Sequence, residues 1–215
     1  MADLNIFVSV GGTSNEEQEI FVRAVEDRLR SEGLIPHTVG RNTFSSDAPL
    51  KTVAELLDKC SGTVVIALER VHFAVGTEKR GGSKEIALSE TSLPTPWNQI
   101  EAALSYSRGL PLLVIVAEGI RSEGLLEPGY DWYVQNVTPE AASLHSNEFN
   151  GVLASWKNKV ASTQVTNAAT INPSDMSVGT LLYAVKPAQL WGVLVALGGI
   201  VAGAFALGLK LAGGA

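Results

Sequence analysis

The sequence predicts an α/β domain built on a doubly wound parallel sheet, followed by one membrane-spanning helix. Three observations predict this. Short β-branched apolar runs alternate with amphipathic helical stripes over the first part of the chain, the order that builds a parallel sheet with helices on both faces. Residues 63–68 and 111–116 are almost wholly apolar, as parallel strands buried on both faces tend to be. From Leu190 to Leu209 the chain carries no charge, and ~20 apolar residues suffice to cross a bilayer core.

Leu4 to Val10 reads as the first strand, closed by Gly11-Gly12. Ser14 and Glu17 have capping-box spacing, and Ile20, Val22, Val25 and Leu29 form a helical stripe ending at Gly33, a C′ glycine. Leu34 to Val39 reads as the second strand, Pro49 to Lys59 as the second helix and Thr63 to Leu68 as the third strand. Glu69 to Thr95 reads as a long charged loop, lid-like in its glycine content at Gly76 to Ser83 but without the lysine placement of a phosphate-binding P-loop. Thr95 caps a helix that begins at Pro96 and runs to about Arg108. Pro111 to Val116 is the fourth strand, and Asn147 to Val160 the final helix. The domain boundaries expected are 1–161 for the α/β domain, 162–187 for a linker rich in Thr, Asn, Ser and Ala, 188–210 for the span and 211–215 for a short tail.

In lipid a single segment must satisfy its own backbone, so the span is helical. Trp191 sits where an interfacial aromatic belongs, and Lys210 at the far end can snorkel. Gly199 and Gly203 form a small-residue pair of the kind that lets helices approach closely, although a segment this rich in Gly and Ala also produces such pairs by chance. With no secretory signal pattern at Met1-Ala2-Asp3, the expected localisation is a single-pass membrane protein with its N-terminal domain in the cytoplasm.

Composition excludes several function classes. The net charge is −6, with no basic stripe, which argues against a nucleic-acid partner. Cys60 is the only cysteine, so no intrachain disulfide forms. His37, His72 and His145 lack ligand-like spacing, and no metal site is expected.

Ligands of doubly wound sheets sit at the carboxyl ends of the strands. That directs attention to Ser9, Gly11 and Gly12, whose glycines let a ligand approach the backbone; the following Glu16, Glu17 and Glu19 equally satisfy a helix dipole. Trp97, Asn98 and Glu101 share one face near a helix start, where the ring can pack on a base or ribose and the carboxylate can address a sugar. The same spacing also fits a surface glutamate beside a tryptophan that covers the core. Glu69 and Glu90 are candidate second carboxylates.

Four segments carry a family resemblance: Ile6-Phe7-Val8-Ser9, Gly33-Leu34, Ser61-Gly62-Thr63-Val64-Val65-Ile66, and Trp97-Asn98-Gln99-Ile100-Glu101 ahead of Pro111-Leu112-Leu113-Val114-Ile115-Val116. In their order and spacing, residues 4–160 resemble the TIR (Toll/interleukin-1 receptor) fold, which is flavodoxin-like, and the related nucleoside 2-deoxyribosyltransferase-like group. The resemblance implies that Glu101 serves N-glycosidic chemistry. It implies that Arg41 and Phe44, after the second strand, contact ligand or a neighbouring subunit. It also implies NAD as a substrate rather than a cofactor, a homo-oligomer formed through the domain and the spanning helix, and a role in antiviral defence switched on by assembly. The stretch from Val71 to Ser92 departs from the family as an insertion.

The chemistry suits a lone carboxylate. Nicotinamide leaves NAD as a neutral molecule, so no general acid is required, and the transition state resembles an oxocarbenium ion. Glu101 then either stabilises that charge or attacks the anomeric carbon to form a covalent intermediate. Three readings follow: a membrane-anchored enzyme cleaving NAD or a related nucleotide, a non-enzymatic nucleotide- or TIR-binding module that signals or disrupts the membrane through its tail, and, ranked last because a membrane anchor brings it no evident benefit, a deoxyribosyltransferase of salvage metabolism.

Overall fold

Two runs, β3 (Gly62–Ala67) and β6 (Leu112–Ala117), are buried at every position and pair in parallel at the centre of a five-stranded sheet. β1 (Leu4–Val10) flanks β3, and the edges are β2 (Leu34–His37) and β7 (Tyr133–Val137), giving the order β2-β1-β3-β6-β7 with every pair parallel. The edge positions follow from sequence. Pro36 in β2 lacks an N–H and is tolerated at an edge, and β7 is buried at only two of its five positions. The computed structural model describes residues 4–168, with side chains as far as Thr163. The expected span at 188–210, the tail 211–215 and the linker beyond residue 168 lie outside the described residues. Among the described residues no helix is long and apolar enough to cross a membrane.

Successive strand residues point to opposite faces, and the two faces are covered by different helices. Val64 and Ile66 pack with Phe21, Val22, Val25 and Leu29 of α1 (Glu16–Ser31) and with Phe149, Leu153, Trp156 and Val160 of α4 (Asn147–Ala168). On the other face, Val65 and Ala67 pack with Ala102 of α3 (Pro96–Ser107), and Phe7 packs with Val53 and Leu57 of α2 (Pro49–Leu57). α4 lies so close to β3 that a Cβ on Gly62 would come within 2.7 Å of Val160 Cγ2.

Local details correct the sequence expectations in several places. The first helix is capped by Asn15, whose side chain accepts from Gln18 N at 2.9 Å, while the Gln18 side chain accepts from Ser14 N at 2.8 Å. The N-cap is therefore Asn15, one residue beyond Ser14, and the return bond runs from Ser14 N to Gln18 instead of involving Glu17. α4 continues to Ala168, past the expected end of the final helix at Val160. The stretch expected to be a loop is a hairpin: β4 (Val71–Glu78) pairs antiparallel with β5 (Ile86–Leu93). Its base is held by Arg70 N donating to Leu93 O at 2.9 Å and by Arg121 N donating to Ser92 O at 2.9 Å. The Arg121 guanidinium pairs with Glu78 and Glu123.

The chain steps from β2 back across β1 to β3, so the direction of winding reverses between β1 and β3. A crevice opens at the carboxyl ends of strands at such a switch point.

Candidate active site

Val10 ends β1 and Gly11 begins the turn that leads toward α1. A Cβ on Gly11 would lie 3.0 Å from Thr95 Cγ2, so a side chain there would crowd the residue that caps α3, and glycine lets the β1 exit lie against it without that crowding. Thr95 in turn starts α3, with its hydroxyl accepting from Trp97 N and Pro96 in the first turn. This arrangement brings the start of α3 beside the end of β1.

The cleft that results has a volume of about 260 Å³ and is lined by Val10, Gly11, Gly12, Val39, Pro49, Val53, Arg70, Thr95, Trp97 and Glu101. Ligand pockets commonly run from ~300 Å³ upward, so this one is compact. Val39, Pro49 and Val53 make an apolar wall. Trp97 is 41% exposed, which leaves its ring available to a ligand. Glu101, four residues along the helix, is 8% exposed.

Burial pushes the Glu101 carboxyl up to about 7, and a hydrogen bond from the Ser9 hydroxyl opposes that rise. Desolvation wins because a carboxylate loses more hydration at this depth than one hydroxyl donor restores. Ser9 is itself fully buried and held by Asn98, whose Nδ2 donates to Ser9 Oγ at 3.1 Å and to Ser9 O at 3.3 Å. A hydroxyl has one proton to donate, so accepting from Asn98 leaves that proton for Glu101. Asn98 is 1% exposed and also reaches Ile66 O at 3.4 Å. It ties β1, β3 and α3 together beneath the cleft, and its amide is spent on protein acceptors.

The structure thus brings together Gly11, Gly12, Trp97 and Glu101 around one cleft, with Ser9 and Asn98 supporting it from below. Glu69 borders a small adjoining gap with Gly11, Gly12 and Asn98. Its carboxylate turns away to accept from Ser92 and lies 3.8 Å from His72. Glu90 is exposed, at 3.2 Å from His72 Nε2. Two of the expected contact residues lie away from this cleft. Arg41 does not line the cleft: its guanidinium grips Glu19 through two 2.8 Å hydrogen bonds and lies 3.5 Å from Glu26. Phe44 is 77% exposed and also lies outside the cleft lining. Both residues follow β2 at the sheet edge, on a turn pinned by Thr38 O, and that turn directs Arg41 to α1.

Arg70 was missed by the sequence reading, as were the apolar wall residues. No local motif marks Arg70; it reaches the cleft because β3 ends there. Burial pushes the Cys60 thiol up to about 12, so it is no nucleophile at neutral pH. Among the described residues, no cluster of three or more His, Cys, Asp or Glu side chains could hold a metal ion.

No family model matches the chain, and no curated protein matches it. Among solved structures, a CMP N-glycosidase from Clostridium botulinum is similar over 53% of this chain and 72% of its own, with 14% identity and a TM-score of 0.34. A flavodiiron core from Synechocystis is similar over 76% of this chain and 36% of its own, with 11% identity and a TM-score of 0.40. Likeness of this grade carries no information about chemistry, which the side chains of the cleft must supply.

Proposed function

We propose that this protein hydrolyses the N-glycosidic bond of NAD or a related nucleotide, with Glu101 acting at the sugar. The observation that supports this most directly is a single buried carboxyl, pushed up to about 7, opening into a cleft beside an exposed tryptophan at the sheet's switch point. A carboxyl poised near neutrality serves either proton transfer or charge stabilisation, and both are common where carboxylates act on sugars. The resemblance of the Trp97-to-Glu101 segment to enzymatic TIR domains supports the same reading.

In the proposed reaction the C1′–N bond breaks and its electron pair departs with the base. In NAD that pair neutralises the pyridinium, so nicotinamide leaves without a proton. Ionised Glu101 stabilises positive charge at C1′. A water oxygen then bonds to C1′, and one of its protons passes to the Glu101 carboxylate and from there to solvent. Trp97 packs against the sugar or base, and the Ser9–Asn98 pair holds the carboxylate in place. The tail from Leu190 to Leu209 anchors the domain to a membrane, and assembly of copies there switches on the activity, in keeping with a role in defence.

Incubating the full-length protein with NAD and with mononucleotides, then separating the products, tests the proposal. Release of free base with the matching sugar product is expected. One observation favours a second reading: among the described residues Glu101 is the only carboxyl lining the cleft, and a lone carboxyl also suits a pocket that grips ribose hydroxyls without cleaving. Saturable nucleotide binding with no base release over many hours would select that binding module instead.

A further inference from the structure

We propose that Arg70 reads the 5′-phosphate of the ligand, so that the cleft selects nucleotides over nucleosides. This rests on the nucleotide reading of the cleft, though not on its being catalytic.

The lining of the cleft contains one anion, Glu101, and one cation, Arg70. All eight arginines of the chain fall among the described residues, and six of them are ion-paired: Arg23, Arg28, Arg30, Arg41, Arg108 and Arg121. Arg70 and Arg80 are the two without an ion pair, and Arg80 lies in the hairpin turn, outside the cleft lining. The adjacent Glu69 does not neutralise Arg70, because its carboxylate is turned to Ser92 and His72. The Arg70 main chain is fixed by its hydrogen bond to Leu93 O, so the side chain starts from an anchored point at the cleft edge.

The neighbouring wall is bare backbone. A Cβ added to Gly12 would meet nothing within 4 Å, which means open space there for a bulky anion. The amino terminus of α1 is a poor alternative seat. Its Asn15 cap already accepts from Gln18 N, and Glu16, Glu17 and Glu19 fill the first turn with negative charge. Charge repulsion there and an unpaired guanidinium across the same glycine turn both favour Arg70 as the phosphate contact. Its planar fork matches a phosphate group, where two parallel N–H donors add orientation as well as attraction.

The test is a binding titration of the full-length protein, followed by tryptophan fluorescence, with a nucleoside, its 5′-monophosphate, NAD and inorganic phosphate. Base release is measured in parallel. The wild type should bind the monophosphate at least about tenfold more tightly than the nucleoside, in line with hydrogen bonds to a charged group. Arg70→Ala should bring the two ligands to near-equal affinity, leave nucleoside affinity and melting temperature unchanged, and Arg70→Lys should restore part of the preference. If bases are released, Arg70→Ala should raise KM and leave kcat nearly unchanged. Phosphate preference without base release would sink the glycosidase reading and leave this one standing. A preference that survives Arg70→Ala, or no binding of any phosphorylated ligand at millimolar concentration, would overturn it.

Discussion

Replacing Glu101 by Gln should stabilise the protein at alkaline pH while leaving it almost unchanged in acid. In the folded chain the Glu101 carboxyl is pushed up to about 7 from an ordinary value of 4.5, chiefly by burial. Between these values the folded state holds a proton that the unfolded chain has released. Stability therefore falls as pH rises from about 4.5 to about 7 and levels off above, because the unfolded chain binds fewer protons in that window. At roughly 1.4 kcal/mol per pH unit, the penalty comes to about 3 kcal/mol. Gln has nearly the same shape and never ionises, so it escapes the penalty. Urea denaturation of wild type and Glu101→Gln at pH 4.5 and pH 8, followed by tryptophan fluorescence, gives the difference directly. Other titrating groups cancel in that difference. Equal stability of the two proteins at pH 8, or a gap that does not change between the two pH values, would refute the assignment of a desolvated carboxyl.

Three other perturbations have definite outcomes. Asn98→Ala removes the donor shared by Ser9 and Ile66 O, and urea denaturation should record a loss of about 1–3 kcal/mol from buried acceptors left unmet. Arg41→Ala should lower stability at neutral pH by no more than about 1 kcal/mol, since the pair is partly exposed, and should leave ligand binding intact. Arg41 holds the Glu19 carboxyl at about 2, so wild-type stability from this pair is present above about 4.5 and lost as pH falls toward 2; acid titration of the variant should show that loss reduced. Full-length protein should float with lipid vesicles and resist alkaline extraction, whereas a chain ending at residue 187 should remain in the aqueous fraction.

The central layers of the fold were legible because burial wrote them into the composition of short segments. β3 and β6 carry apolar residues at nearly every position, and α1 carries a helical stripe. The hairpin was not legible. β4 and β5 expose residues on both faces, so Val75 and Ile86 stand beside Glu78 and Ser89 without the alternation that a half-buried strand shows. β7 was missed for a related reason: as an edge strand it places Gln135 inward and Tyr133 outward, blurring its pattern. At the site, Trp97 and Glu101 could be paired from helical spacing alone. Arg70 could not, because its place in the cleft comes from where β3 ends relative to β1, a relation that sheet order creates and local sequence does not carry. Arg41 illustrates the converse, a residue in a promising loop whose charge is taken by a helix 22 positions earlier.

The proposal that Glu101 acts on the anomeric carbon is tested most directly by a proton NMR time course of NAD, or the preferred nucleotide, with matched concentrations of wild type and Glu101→Gln. Loss of the ribose H1′ signal with appearance of free base is predicted for the wild type, and a rate at least about a hundredfold lower for the variant, as befits removal of transition-state charge stabilisation. Base release by Glu101→Gln at the wild-type rate would contradict the account.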